Sequence, residues 1–229
     1  DFEFYGQINL TKSAIQLADA ITTVSETYAR EIQTTDFGFG LQDVLQNHKE
    51  SLYGILNGVD YQQWNPETDP FTYGIHYSAD DLSAKRRIKS KLREEYGLPD
   101  PDDLPLIGMT TRFVEQKGID LITECAEQIL QLDAQMIVLG SGDPRYHDYF
   151  EWLRRSYPDQ VAIYIGFNNE LAHRIEAGAD IFLMPSLFEP CGLNQIYSLK
   201  YGTLPIVRLT GGLADTIADG VNGFTFFDF

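Results

Sequence analysis

The spacing of apolar residues changes repeatedly along this chain, and each change marks a predicted element. Gln7 to Leu17 carries apolar positions at helical spacing, and Ala20 to Val24 predicts a short buried strand. Ser25 stands where a helix N-cap belongs, opening a helix to about Gln33. Phe37-Gly38-Phe39-Gly40 predicts a loop before Leu41 to Gln46, and Ser51 to Leu56 predicts a strand ended by the turn pair Asn57-Gly58. Prolines 66, 70, 99, 101 and 105 then bracket a charged amphipathic segment, Asp81 to Tyr96, so Asn65 to Pro105 predicts a domain junction with one helix. From there strands and helices alternate. The predicted strands are Leu106 to Thr110, Gln135 to Leu139, Ala162 to Ile165, Ile181 to Met184, Leu204 to Val207 and Gly223 to Phe226. Between them fall helices Gly118 to Leu130, Pro144 to Ser156, Glu170 to Ala177, Gly192 to Tyr201 and a short one near Leu213 to Ala218. Strands apolar throughout, alternating with helices, predict an α/β fold with a doubly wound parallel sheet covered on both faces.

Composition narrows the function classes. The 229 residues hold 34 acidic against 17 basic side chains, a formal charge of −17, which argues against nucleic acid or an anionic membrane as the main partner. Cys125 and Cys191 lie far apart without metal-binding or redox spacing, so a reducing compartment and no disulfide are expected. His48, His76, His147 and His173 share no ligand spacing either. No bilayer-length apolar run, signal sequence, complete P-loop or Gly-x-Ser-x-Gly elbow is found, and patterned sequence starting at Asp1 suggests a chain that begins inside a larger protein.

Candidate chemistry gathers at predicted carboxyl ends of strands, where open α/β sheets bind ligands. Ile181 to Met184 leads through Glu189-Pro190-Cys191-Gly192 into a helix with Leu193, Ile196, Tyr197 and Lys200 at three- and four-residue spacing, closing at Gly202. A helix start there offers N–H groups to an anion, and a carboxylate beside it suits an uncharged part of the ligand, such as sugar hydroxyls. Arg112 and Lys117 place two cations in one loop, suited to a diphosphate and equally readable as surface charges. Gly140-Ser141-Gly142-Asp143 lacks the third glycine of a dinucleotide fingerprint and predicts a tight strand-to-helix turn. Phe167 ends another strand, where its face could stack on a base or serve the core. Thr210-Gly211-Gly212 opens a helix, either a second anion or hydroxyl site or a plain turn.

Several of these stretches together resemble the bacterial and plastid glycogen/starch synthases. They are Ser186-Leu-Phe-Glu-Pro-Cys-Gly-Leu-Asn-Gln, Tyr201-Gly-Thr-Leu-Pro-Ile-Val-Arg, Thr210-Gly-Gly-Leu-Ala-Asp-Thr and Arg112-Phe-Val-Glu-Gln-Lys-Gly. Tyr5-Gly-Gln-Ile-Asn, Val24-Ser-Glu-Thr-Tyr-Ala-Arg-Glu-Ile and Ile55-Leu-Asn-Gly-Val-Asp extend the match in the same order over nearly the whole chain. The resemblance implies a retaining GT-B glucosyltransferase of two Rossmann-like domains that adds glucose from ADP-glucose to an α-1,4-glucan, without a metal or other cofactor. It implies that Arg112 and Lys117 bind the donor diphosphate, Glu189 acts near the reacting carbon, and Leu193 and Asn194 meet the phosphates through the helix start, with Gly192 a further substrate-binding residue. It also implies that Phe167 meets the adenine and that Cys191 and Asn57 line the cleft, while Thr210 and Gly211 are expected to be substrate-binding residues. Many related retaining transferases carry a second glutamate eight residues on, where this chain has Tyr197, as glycogen/starch synthases do. Phe167 stands where a tyrosine is usual.

Residues 1–56 then correspond to the tail of the amino-terminal, acceptor-side domain and the hinge, and 57–229 to a donor domain truncated at its carboxyl end. A chain of that extent is expected to transfer nothing alone. Location is expected to be cytoplasmic for a bacterial source and plastid for a plant or alga. A UDP-glucose-using relative, a sucrose- or trehalose-type transferase and a non-catalytic nucleotide-binding or assembly module are the alternatives, the Cys191-Gly-Leu-Asn-Gln continuation speaking against the second.

Overall fold

The computed structural model describes residues 2–101 and 103–228, so Asp1, Asp102 and Phe229 lie outside the described residues. Two compact units make up the chain. The first contains the residues up to Gly58 together with Glu189–Gly192 and Thr210–Asp215. The second contains Val59–Phe188, Leu193–Leu209 and the residues from Thr216 onwards.

In the first unit, β1 (Glu3–Phe4) and β2 (Gln7–Ile8) form an antiparallel ribbon ahead of α1 (Leu10–Leu17). The helix starts at Leu10, later than the apolar spacing predicts, because the Asn9 side chain accepts the Lys12 N–H and sets the cap there. β3 (Ile21–Thr23) follows, then α2 (Glu26–Glu31), capped by the Ser25 hydroxyl on the Tyr28 N–H, then α3 (Gln42–Asn47) and β4 (Leu52–Gly54), which pairs parallel with β3. Ala29, Leu45 and Leu52 form the core of this unit.

The second unit begins with the region that proline and charge marked as a junction. It carries one helix, as expected, and it is packed: Trp64, Tyr73 and Ile75 surround Tyr77, Ile88, Ala177 and Tyr201. Its helix, α4 (Ser83–Tyr96), buries Lys85, Lys89 and Arg93 at four-residue spacing. These cations satisfy carbonyls that the rest of the unit leaves over. Lys85 Nζ donates to the Ala177 carbonyl at 2.9 Å and the Thr203 hydroxyl at 2.7 Å, while Lys89 and Arg93 both donate to the Leu104 carbonyl, at 2.7 and 2.6 Å. Ala177 lies in the last turn of a helix, where a positive charge is favoured.

The alternation then runs β5 (Leu106–Phe113), α5 (Ile119–Leu130), β6 (Gln135–Gly142), α6 (Pro144–Ser156), β7 (Val161–Ile165), α7 (Asn169–Gly178), β8 (Ile181–Met184), α8 (Asn194–Tyr201), β9 (Leu204–Arg208), α9 (Gly211–Thr216) and β10 (Phe224–Phe226). Six strands form one parallel sheet in the order β10-β9-β8-β5-β6-β7. Alternate residues of β6 feed opposite cores, Met136 and Val138 towards α5 and α6, Ile137 and Leu139 towards α4 and α7. The predicted Gly140-Ser141-Gly142 turn is strand instead, since β5 and β6 stay paired as far as Phe113 and Gly142. Glycine is required there, because a Cβ on Gly140 or Gly142 would stand 2.1 or 2.2 Å from a β5 carbonyl oxygen. Among the described residues no helix is long and apolar enough to cross a membrane.

Candidate functional site

Strand order reverses beside β5, and the cavity that matters opens at the carboxyl ends of β5, β6 and β7. It encloses about 310 Å³ and is lined by Trp64, Arg112, Ser141, Phe167 and Asn194 among others. Arg112 is exposed near the end of β5, inside the strand and not in the loop expected after Thr110, and one guanidinium nitrogen donates to Gln116 Oε1 at 3.2 Å. Phe167, just beyond β7, is 90% exposed and therefore does not serve the core. Asn194 opens α8, its amide donating to the Thr110 carbonyl at 2.9 Å, which ties the helix start to β5. The main-chain N–H groups of Leu193 and Asn194 meet no acceptor among the described residues, as expected for a first helical turn. One wall of the cavity is thus aromatic and another offers hydrogen-bond donors.

Trp64 was not singled out from the sequence, yet it lines the same cavity. Its indole lies flat between His173 of α7 and Tyr197 of α8, with ring centroids 3.7 and 3.9 Å away and planes within 7° and 4° of parallel. Below this stack, the buried Asp69 carboxylate accepts from His173 Nδ1 at 2.8 Å and from the Tyr201 hydroxyl at 2.5 Å. Burial would raise the Asp69 pKa, but the hydrogen bonds from His173, Tyr201 and the Phe71 N–H, together with the neighbouring His173 ring, outweigh it and hold it below the usual carboxylate range. His173 is consequently structural. The buried face of α8 is Gln195, Ser198 and Tyr201, whereas Leu193, Ile196 and Tyr197 are half-buried and Lys200 is exposed, so the sequence spacing pointed to the wrong stripe. The helix also starts at Asn194 and not at Gly192, which adopts a left-handed conformation with φ 70°.

Beneath α8, Ser198 donates to Glu176 Oε2 at 2.7 Å. Burial pushes the Glu176 pKa up to about 8 and that of neighbouring Lys85 down to about 7. These groups were invisible in the sequence, because nothing in their spacing announces a buried pair.

The remaining candidates sit in a loop and its supports. Lys117 ends a one-turn 3₁₀ helix, Glu115–Lys117, and is half-buried outside the cavity lining. Between it and Arg112, Gln116 holds the approach to Glu189: its carbonyl accepts the Leu187 N–H at 2.9 Å and its side-chain amide donates to the Phe188 carbonyl at 3.2 Å. Glu189 and Cys191 are 6% and 4% exposed. Thr210 and Gly211, read as a possible anion or hydroxyl site, already have an anion: the Thr210 hydroxyl and the Gly211 N–H both donate to Glu31 Oε1, at 2.9 and 3.0 Å. Asn57 is exposed on the irregular segment after β4 and is not among the cavity residues. No group of three or more potential metal ligands occurs among the described residues.

Residues 1–47 match the family described as starch synthase catalytic domain, and residues 90–228 match glycosyl transferases group 1. Glycogen synthase 1 of Geobacter metallireducens is 55% identical over 93% of this chain and 42% of its own length. Glycogen synthase of Bacillus cereus is 49% identical over 99% of this chain and 49% of its own length. The chain therefore spans about half the length of these relatives. The catalytic domain of Arabidopsis thaliana starch synthase IV, solved with ADP and acarbose, superposes with a TM-score of 0.93 at 39% identity, covering 100% of this chain and 49% of that one. With its six-stranded parallel sheet and flanking helices matched in that way, the fold is Rossmann-like and of GT-B type, and the chain belongs to the glycogen/starch synthase family of glycosyltransferases.

Proposed function

We propose that the full-length protein transfers glucose from ADP-glucose to the non-reducing end of an α-1,4-glucan with retention of configuration. The observation that carries this reading is the cavity in which an exposed aromatic ring, a guanidinium and a helix start converge. A nucleoside diphosphate presents the matching chemistry, a base to stack and phosphate oxygens to receive donors. Likeness to a starch synthase bound to ADP and acarbose supports both the nucleotide and the glucan.

In this reading Phe167 stacks on the adenine, Arg112 and Lys117 neutralise the diphosphate, and the N–H groups around Gly192, Leu193 and Asn194 donate to phosphate oxygens. Cys191 and Asn57 line the path of the sugar and acceptor. Thr210 and Gly211 act through the loop they support. The bond between C1 of glucose and the phosphate oxygen breaks, its electron pair leaving on ADP. A new bond forms from C1 to an acceptor hydroxyl oxygen, whose proton leaves with the departing phosphate. Positive charge that develops on the ring is stabilised electrostatically by the Glu189 carboxylate, and negative charge on the diphosphate by the two cations. Residues 1–56 belong in this reading to the tail of the acceptor-side domain and the hinge, and 57–229 to the donor domain.

Calorimetry with ADP, UDP and ADP-glucose tests the donor half of the proposal. ADP is expected to bind more tightly than UDP, and Arg112→Ala to weaken ADP by about tenfold to hundredfold, the value of a charge-assisted pair. A protein that binds none of these nucleotides would be an assembly module instead. Glucose incorporation into glycogen by the full-length protein tests the transfer, and its absence with either donor would overturn it.

A further inference from the structure

Two carboxylates far apart in sequence each cap the other's helix. Asp215, in α9, accepts the Thr27 N–H at 3.0 Å and the Thr27 hydroxyl at 2.5 Å, at the start of α2. Glu31, at the end of α2, accepts the Thr210 hydroxyl at 2.9 Å and the Gly211 N–H at 3.0 Å, at the start of α9. Helices of six residues do not hold themselves, so this exchange fixes both. Neither carboxylate lines the cavity.

The clasp rests against the Glu189 loop. The Gly212 N–H donates to the Glu189 carbonyl at 3.0 Å. A Cβ on Gly211 would stand 2.0 Å from that same oxygen, and one on Gly212 would stand 2.1 Å from the Cys191 oxygen. The loop backbone therefore lies directly on the two glycines, and Glu31 sets their position from the other side. Glu31 does this at a cost, because its Oε2 is buried without a hydrogen-bond partner. Glu31 is half-buried overall, and a carboxylate with one oxygen buried and unpartnered is a poor choice for stability alone, since a neutral cap would leave no charged oxygen stranded.

We propose that Glu31 and Asp215 are positioning residues that hold the Glu189 carboxylate in its working place. The proposal rests on the reading of Glu189 as the group that stabilises the transferring glucosyl ring. Small displacements of such a group are costly, about a hundredfold for an ångström.

The test uses Glu31→Ala, Asp215→Ala, the double variant and Glu189→Gln in the full-length protein, with turnover and ADP affinity measured on each. Turnover is expected to fall about tenfold to hundredfold in each Ala variant. ADP affinity and the KM for ADP-glucose should stay within about twofold, because the lost interaction concerns the reacting carbon and not the nucleotide. The double variant should be about as slow as the slower single one, since both residues hold one loop. Unchanged turnover, or ADP affinity that falls in step with turnover in a protein folded by circular dichroism, would overturn the proposal. Should Glu31→Ala not fold, Glu31→Gln keeps an acceptor oxygen and carries the same split at about threefold to tenfold. Normal turnover in Glu189→Gln would sink the reading of Glu189 itself, whereas a slow Glu189→Gln beside a normal Glu31→Ala would sink only the positioning role.

Discussion

The side chains at the sheet edge stand out in solvent, while those of the Glu189 loop are folded in. Arg112 is exposed and Phe167 is 90% exposed, against 6% for Glu189, 4% for Cys191 and 2% for Thr210. Strand ends supply the first group at little structural cost, each residue being carried by its own strand. The second group is placed by contacts from distant sequence, Glu31 on Thr210 and Gly211, and Gly212 on the Glu189 carbonyl. On the proposed function, groups of the first kind meet the ligand and groups of the second kind are held still. Variants should therefore separate into affinity effects and turnover effects.

Glu189→Gln gives the largest effect expected. The amide keeps the volume and one acceptor oxygen but removes the charge, and loss of one preorganised electrostatic group costs about a hundredfold to a thousandfold in turnover. ADP affinity should change little. Steady-state kinetics beside calorimetry on the full-length protein decides it, and equal losses in turnover and affinity would erase the distinction between the two regions.

The exposed side should behave in the opposite sense. Phe167→Ala removes a stacking surface, expected to weaken ADP about tenfold, within the range for a base on an aromatic ring. Trp64→Leu breaks the parallel stack with His173 and Tyr197, worth about twofold to tenfold in donor KM on the scale of an aromatic pair. In both variants kcat should remain within about threefold, since neither ring is assigned to the reacting carbon. A selective fall in kcat for either would place that ring with the loop.

Legibility in the sequence followed the range of the interactions. Pro144–Ser156 and Ile181–Met184 were readable to the residue because caps and apolar runs are local signals. The Ser25 cap was readable for the same reason. β5 and β6 ran past their predicted ends because each lengthened strand is satisfied by the other, through glycines that in isolation look like a turn. The Asn65–Pro105 region read as a domain junction with one helix, and its packing was not legible because its prolines are visible and its partner aromatics on α7 and α8 are not. At the site, Arg112, Phe167 and Asn194 were found as cavity residues, since motif position implies the strand end. Trp64, Gln116, Glu31 and Asp215 were missed. Each acts through a residue remote in sequence, and no local period reports such a pairing.

The smallest effect on ADP affinity is expected at neither region's ligand groups but at the buried pair beneath α8, which is read out in stability. Glu176 accepts the Ser198 hydroxyl and its pKa is raised to about 8 by burial, against an ordinary 4.5. A carboxyl whose folded pKa is raised contributes stability that is full below the unfolded value and is lost as pH rises through the folded value. Between pH 5 and 8 the folded protein should therefore lose stability relative to Glu176→Gln, at up to about 1.4 kcal/mol per pH unit. Lys85, lowered to about 7, acts in the opposite direction at higher pH, gaining stability as pH rises from there towards 10.5. Because Lys85 and Glu176 shift each other's titration, the difference between the two proteins reports the Glu176 carboxyl together with its coupling to Lys85. Urea unfolding of each at half-unit steps from pH 5 to 8 measures it. Parallel curves would mean that Glu176 titrates normally in the folded protein, and ADP affinity of the Gln variant should match the parent throughout.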